Sequence, residues 1–204
     1  MNQVTNSIVN TPTITEWITA ISGAISALAV IVGLIAAFRQ LNSWKNQEKS
    51  KARSENAKKV MVAALSIGDV LESVRHPFSS IPKAELKNKY YDFERRLKLL
   101  QDNYATFNEL RLAQFEARLL AFDSKIDLAI VEFFKIRNEF HNAVWLMSDY
   151  LEIKPSSPEE LQMLKESREI LYATGGDKDS IKKRIDTSTS VLESLLGPII
   201  RLND

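Results

Sequence analysis

The chain has 204 residues, 45% of them hydrophobic and 26% charged, with a formal net charge of +1. Those averages exclude a multi-pass membrane protein, a charged disordered tail and a low-complexity chain. The absence of cysteine excludes disulfide frameworks, thiolate metal sites and cysteine nucleophiles.

Residues 1–16 hold Glu16 as their one charged side chain and are too few to bury a core, so they are expected to form an external tail. Residues 17–38, WITAISGAISALAVIVGLIAAF, then run without a charge. At about 1.5 Å per residue the run reaches roughly 33 Å, enough to cross a hydrocarbon layer of about 30 Å. The run is apolar all the way round and longer than a core helix of a soluble domain usually requires. A cleaved signal peptide would need a positive segment in front and a shorter apolar stretch. The run predicts a transmembrane helix.

Its two faces differ. At 100° per residue Thr19, Ser22, Gly23, Ser26, Val30, Gly33 and Ala37 share one side, and Ile18, Ile21, Ile25, Leu28, Val32 and Ile35 the other. Small and hydroxylated residues let membrane helices approach closely, so this face predicts self-association and a homo-oligomer.

A basic juxtamembrane segment follows over residues 39–59. Arg39, Lys45, Lys49, Lys51, Arg53, Lys58 and Lys59 outnumber Glu48 and Glu55 there. Excess basic charge marks the cytoplasmic flank of a span, which puts the tail outside and the bulk of the chain inside, at the inner membrane. Trp17 and Trp44 suit the interfaces, and the basic residues suit anionic headgroups. Nucleic acid is not an expected partner, because residues 60–204 are slightly acidic and form no basic face.

Residues 60–204 are expected to be an all-α domain, a bundle or coiled-coil hairpin of four to five helices. Val60, Ala63, Ala64, Ile67, Val70, Leu71 and Val74 keep helical rhythm up to His76-Pro77. After the loop at Ser79-Ser80-Ile81-Pro82, one seam runs Leu86, Tyr90, Phe93, Leu97, Leu100, Tyr104 and Phe107. A second runs Leu112, Phe115, Leu119, Phe122, Ile126, Ala129, Phe133, Ile136, Phe140, Val144, Met147 and Leu151. One helix over residues 83–153 would be about 105 Å long, so the chain must turn, at a phase slip near Asn108 or at the cap-like Asp123-Ser124. Lys154-Pro155 is a stop, and Ser157-Pro158-Glu159-Glu160 is a helix start. That helix is expected to end at Gly175-Gly176. A last one starts near Asp179, with Ile181, Ile185, Leu192, Leu195 and Ile199 inward and a break or kink at Gly197-Pro198.

Catalytic chemistry is sparse. His76 and His141 are the two histidines, and neither has a partner at metal-ligand spacing. Acidic residues are expected on outer, solvated faces. No cofactor, metal or catalytic residue is predicted. The string Arg137-Asn138-Glu139-Phe140-His141 resembles the R-N-…-H signature of HEPN ribonucleases, and that resemblance implies a helical bundle that cleaves RNA. The family places four to six residues between arginine and histidine, where this chain has three. One residue turns a helical side chain by 100°, which favours a polar i,i+4 pair beside a seam.

Residues 15–150 also resemble, in pattern, a broad group of uncharacterised bacterial single-pass membrane proteins. The resemblance rests on ISALAVIVGLIAAFRQLNSW, GDVLESVRHPFSS, ARLLAFDSKID and FFKIRNEFHNAVWLM. It favours a turn near Asp123 and implies no activity. The expected function is that of a non-enzymatic membrane-anchored scaffold, acting by oligomerisation or by recruiting a cytoplasmic protein partner. The alternative is a membrane-perturbing, pore-forming effector, as in bacterial anti-phage defence. The third is a membrane-tethered ribonuclease.

Overall fold

The computed structural model describes residues 13–77, 81–174 and 179–201, and among them every regular element is helical. Six α-helices follow in order: α1 Ile14–Arg75, α2 Tyr91–Asp102, α3 Tyr104–Leu119, α4 Ser124–Asp149, α5 Pro158–Leu171 and α6 Ser180–Arg201. The chain divides into two compact units, Met1–Lys49 and Ser50–Asp204.

In the first unit, α1 begins at Ile14, and Glu16 Oε2 accepts a hydrogen bond from the Thr13 amide at 2.7 Å. An acid at a helix start meets free N–H groups and the positive end of the dipole. This stretch of α1 is long and apolar enough to cross a membrane, and its large apolar side chains are exposed. Most of the expected tail lies outside the described residues.

In the second unit, the later part of α1 buries Ala57, Val60, Ala64, Ile67 and Leu71, the face that its periodicity marks. Helix α4 is the central element, packed against α2, α3, α5 and α6. It supplies Ile126, Ile130, Phe133, Ile136, Phe140 and Val144 to the core, and Phe134 meets Phe107 of α3 with ring centres 6.3 Å apart. Helix α6 adds Ile181, Ile185, Leu192 and Leu196, with Leu195 and Ile199 half-buried.

Two helix starts match their local signals, those of α4 and α5, whereas the helix expected to follow Pro82 begins only at Tyr91, after a 3-10 turn at Lys83–Glu85 and without a side-chain cap. Asp123 caps α4 by accepting from the Lys125 amide at 2.8 Å. Ser157 and Glu160 form a reciprocal capping box on α5, with Pro158 in its first turn.

Helix ends and faces depart from expectation in several places. The first seam is cut at Asn103, whose side-chain amide donates to the Leu99 carbonyl at 2.8 Å, and this separates α2 from α3. Leu86 and Tyr104 of that seam are exposed. In the second seam Leu112, Phe115 and Leu119 point outward, because α3 turns Leu110, Ala113, Gln114 and Ala117 to the core instead. Helix α4 stops at Asp149, before Lys154-Pro155, and leaves Leu151 exposed. Helix α5 ends at Leu171, where Tyr172 becomes extended; Gly175-Gly176 and Ser79-Ser80 lie outside the described residues. Helix α6 continues through Gly197-Pro198 to Arg201.

The α3–α4 turn carries no glycine, which is why periodicity runs across it. Phe122 N donates to Ala117 O and Ala121 N to Arg118 O, both at 3.1 Å, the paired bonds of a Schellman end. Ala121 holds the left-handed position, with φ 52°, that glycine usually fills. Ala121→Gly is therefore expected to raise the unfolding free energy by roughly 0.5–1 kcal/mol, the relief of left-handed strain less glycine's entropy cost. Urea unfolding followed by circular dichroism would check it, and an unchanged or lower midpoint would contradict this reading of the turn.

Candidate functional site

On the first unit, Thr19, Ser22, Gly23, Ser26, Val30, Gly33 and Ala37 are all exposed on α1. Two hydroxyls are satisfied within the helix: Thr19 Oγ1 donates to Thr15 O at 2.9 Å and Ser22 Oγ to Thr19 O at 3.0 Å. A Cβ at Gly23 or Gly33 would meet nothing within 4 Å, so both glycines leave an open notch in the helix surface.

The basic run divides between the two units. Arg39, Lys45 and Lys49 are exposed on the first. On the second, Lys51 lies 4.0 Å from Glu55, Arg53 stands 5.0 Å over the Phe122 ring, and Lys58 is exposed. Lys59 Nζ donates to Glu116 Oε2 at 3.0 Å. Hydrogen bonds from Lys59 and then Asn56 lower the Glu116 pKa below its ordinary value. Residues 53–59 therefore take part in the helical packing as well as carrying charge.

One concave surface of the second unit lies between α2 and α4. Tyr90, Phe93, Leu97, Val144, Trp145 and Ile153 line an apolar hollow of about 610 Å³, with Glu94, Asp149 and Glu152 among its polar residues. A second hollow of about 490 Å³ shares Leu97 and continues past Leu100, Gln101 and Tyr104 to Arg137, Asn138 and His141. The seam residues Tyr90 and Leu97 thus line a groove, and Leu97 also touches the core. Glu152 accepts from Lys89 and, at 2.6 Å, from the Tyr90 hydroxyl, and the Lys89 hydrogen bond lowers its pKa.

Arg137 and His141 border the same groove, but each is engaged. The Arg137 guanidinium stands over Phe107 at 5.3 Å and Phe134 at 5.8 Å, and its Nη2 donates to Asn138 Oδ1 at 3.2 Å. His141 Nε2 accepts from the Trp145 indole N–H at 2.9 Å. Glu139, between them, faces away and clamps Arg184 of α6 at 2.6 and 2.8 Å. The hydrogen bonds that Arg184 donates to Glu139, and then to Glu132, raise its pKa against its partial burial. Among the described residues no cluster of His, Asp and Glu could hold a metal.

The expectation that acidic groups stay on solvated faces is corrected at the end of the bundle where α1 and α5 both terminate. Arg75 and Asp179 form an ion pair at 2.9 Å, with 2% exposure of each side chain. Arg75 Nε also donates to Ile170 O at 2.8 Å and its Nη2 to Glu169 O at 3.0 Å, carbonyls of the last turn of α5. Arg96, fully buried, serves α1 in the same way, donating to Val74 O and to His76 O at 3.2 Å while Asp92 holds its Nε at 2.8 Å. Two guanidiniums thus satisfy the free carbonyls of two helix C-termini. Burial alone would raise the Asp179 carboxyl, but hydrogen bonds from Arg75 and the Lys182 amide carry it below its ordinary value. Asp92 is lowered in the same way, against burial, by Arg96 and Arg95.

No protein-family model, curated relative or solved structure matches the chain.

Proposed function

We propose that this chain is a single-pass inner-membrane protein, held by residues 17–38 with its tail outside, whose second unit works as a cytoplasmic scaffold that brings partner proteins or further copies to the membrane. One observation carries the reading. Every large apolar side chain from Ile18 to Phe38 is exposed, and none is covered by the described residues. A soluble protein exposing a continuous apolar cylinder of that length would aggregate, whereas a bilayer supplies the missing cover. The groove between α2 and α4 supports the recruiting part. Its apolar lining and the Glu94–Asp149 end suit an amphipathic helix with basic residues.

The full chain, expressed in bacterial cells, is expected to stay with the membrane pellet through alkaline carbonate washing. The intact mass should still include residues 17–38. Release by carbonate would overturn the anchor, and a shortened chain would identify a signal peptide. A pore-forming reading draws support from the open notches at Gly23 and Gly33; collapse of the membrane potential on expression would favour it over the scaffold.

A further inference from the structure

Helix α3 has two apolar faces. One, formed by Phe107, Leu110, Ala113 and Ala117, is buried against the rest of the second unit. At 100° per residue Leu112, Phe115 and Leu119 centre on the opposite side, and they are 54%, 49% and 86% exposed. Their spacing of three and then four is that of the a and d positions of a coiled coil. Helix α1 widens the face with Val62 and Leu65, 64% and 44% exposed. Val62 and Leu112 line one shallow hollow of about 360 Å³ between the two helices.

We infer that this face binds a second copy of the chain, with the two α3 helices side by side and parallel. Size supports a stable partner. The five side chains expose on the order of 500 Å² of apolar surface, at the top of the range for a monomer's largest patch. With a polar border the face reaches the roughly 800 Å² per partner of a standard interface.

Charge selects the occupant and its direction. With Leu112 at a and Phe115 at d, Glu109 and Glu116 fall at e, and Arg111 and Arg118 at g. One edge of the seam is acidic and the other basic. In a parallel pair each basic edge faces an acidic one, with Arg111 opposite Glu116 of the second copy. An antiparallel pair would set arginine against arginine and glutamate against glutamate. Contacts within the chain hold these side chains at the seam edges: Glu116 binds Lys59 and Asn56, Arg118 binds Asp127, and Arg111 lies over Phe134 at 3.9 Å. They therefore set orientation more than strength.

The cysteine-free sequence allows a direct test in native membranes with the full chain. Single variants Leu112→Cys, Phe115→Cys and Leu119→Cys are oxidised, with Leu128→Cys on exposed α4 as the background. A parallel pair disulfide-links each of the three positions to itself above background. Linking of Phe115→Cys alone would indicate an antiparallel pair, and linking of none would mean that no copy docks there; either result overturns the inference. Adding Arg111→Glu should lower the Leu112→Cys yield roughly fivefold by opposing like charges, with circular dichroism confirming the fold. An undiminished yield would remove the charge argument. The inference stands apart from association through residues 17–38. Yield that persists with Gly23→Ile and Gly33→Ile belongs to α3, and yield that vanishes with them overturns docking through this face.

Discussion

Arg75→Leu is expected to lower the unfolding free energy of the second unit by about 3–5 kcal/mol, the usual cost of removing one partner from a buried ion pair. The loss exceeds that of the pair itself. Arg75 also satisfies the carbonyls of Glu169 and Ile170, while its own carbonyl accepts the Ala173 amide at 3.0 Å. Leucine would leave two helix-end carbonyls and the Asp179 carboxylate buried without their charged donor. Asp179→Asn should cost less. An amide oxygen can still accept from Lys182 N and Arg75, although the new NH2 cannot accept from Thr174 N as Oδ2 does at 3.3 Å, so the loss is about 1.5–3 kcal/mol. Thermal and urea unfolding of the full chain in detergent, followed by circular dichroism, would rank the two. A Leu variant as stable as wild type would mean that the buried pair does not hold this end of the bundle together.

The same site sets a pH dependence. Asp179 and Asp92 both have pKa values lowered by folding. A carboxyl with a lowered folded pKa stabilises the protein at pH values above its unfolded pKa of about 3.9. That stability is lost as pH falls through the lower folded value. The wild-type bundle should therefore weaken below about pH 4, and its advantage over Arg75→Leu should shrink there. An advantage that stays constant down to pH 2 would contradict the assignment.

These arginines show where a sequence is legible and where it is not. Caps are local: Asp123 and Ser157 act on amides two or three residues away, and the starts of α4 and α5 can be read from them. The inward face of α1 can also be read, because alanine and branched aliphatics repeat there without interruption. Arg96 shares the inward side of α2 with Phe93 and Leu100, but Leu97 beside it fills that step of the seam, so a periodicity reading passes over the arginine. Its role depends on carbonyls of Val74, His76 and Leu171, which approach only once three helices have assembled. A charged residue in an inward register, near two helix ends, is the available signal. For α3 the ambiguity is different. Both faces are apolar, so spacing alone favours the more regular stripe, Leu112-Phe115-Leu119, whereas small residues at Ala113 and Ala117 make the other face the one that packs closely. The candidate groove was half legible: its wall from Tyr90 through α2 to the start of α3 follows the seam Tyr90–Leu97–Tyr104, but the opening between α2 and α4 depends on how the helices splay.

Orientation in the membrane gives the other large expected effect. Under the proposed topology a cysteine at Ser7 should react with a membrane-impermeant maleimide in intact cells, and one at Gln47 only after lysis. The charge difference across residues 17–38 is the cause, since the preceding residues hold no lysine or arginine. Arg39, Lys45 and Lys49 are the residues to change, because they lie outside the helical bundle, whereas Arg53 and Lys59 contact Phe122 and Glu116. Arg39→Gln, Lys45→Gln and Lys49→Gln combined with Asn2→Lys, Asn6→Lys and Asn10→Lys should reverse the labelling in a large part of the population. The reversal acts through the basic residues alone, so glutamate in place of glutamine should add little. Wild-type labelling at Gln47 in intact cells would place the bundle outside. Labelling at neither site before lysis would deny a span altogether, and the exposed apolar surface of residues 17–38 would then need cover from another protein.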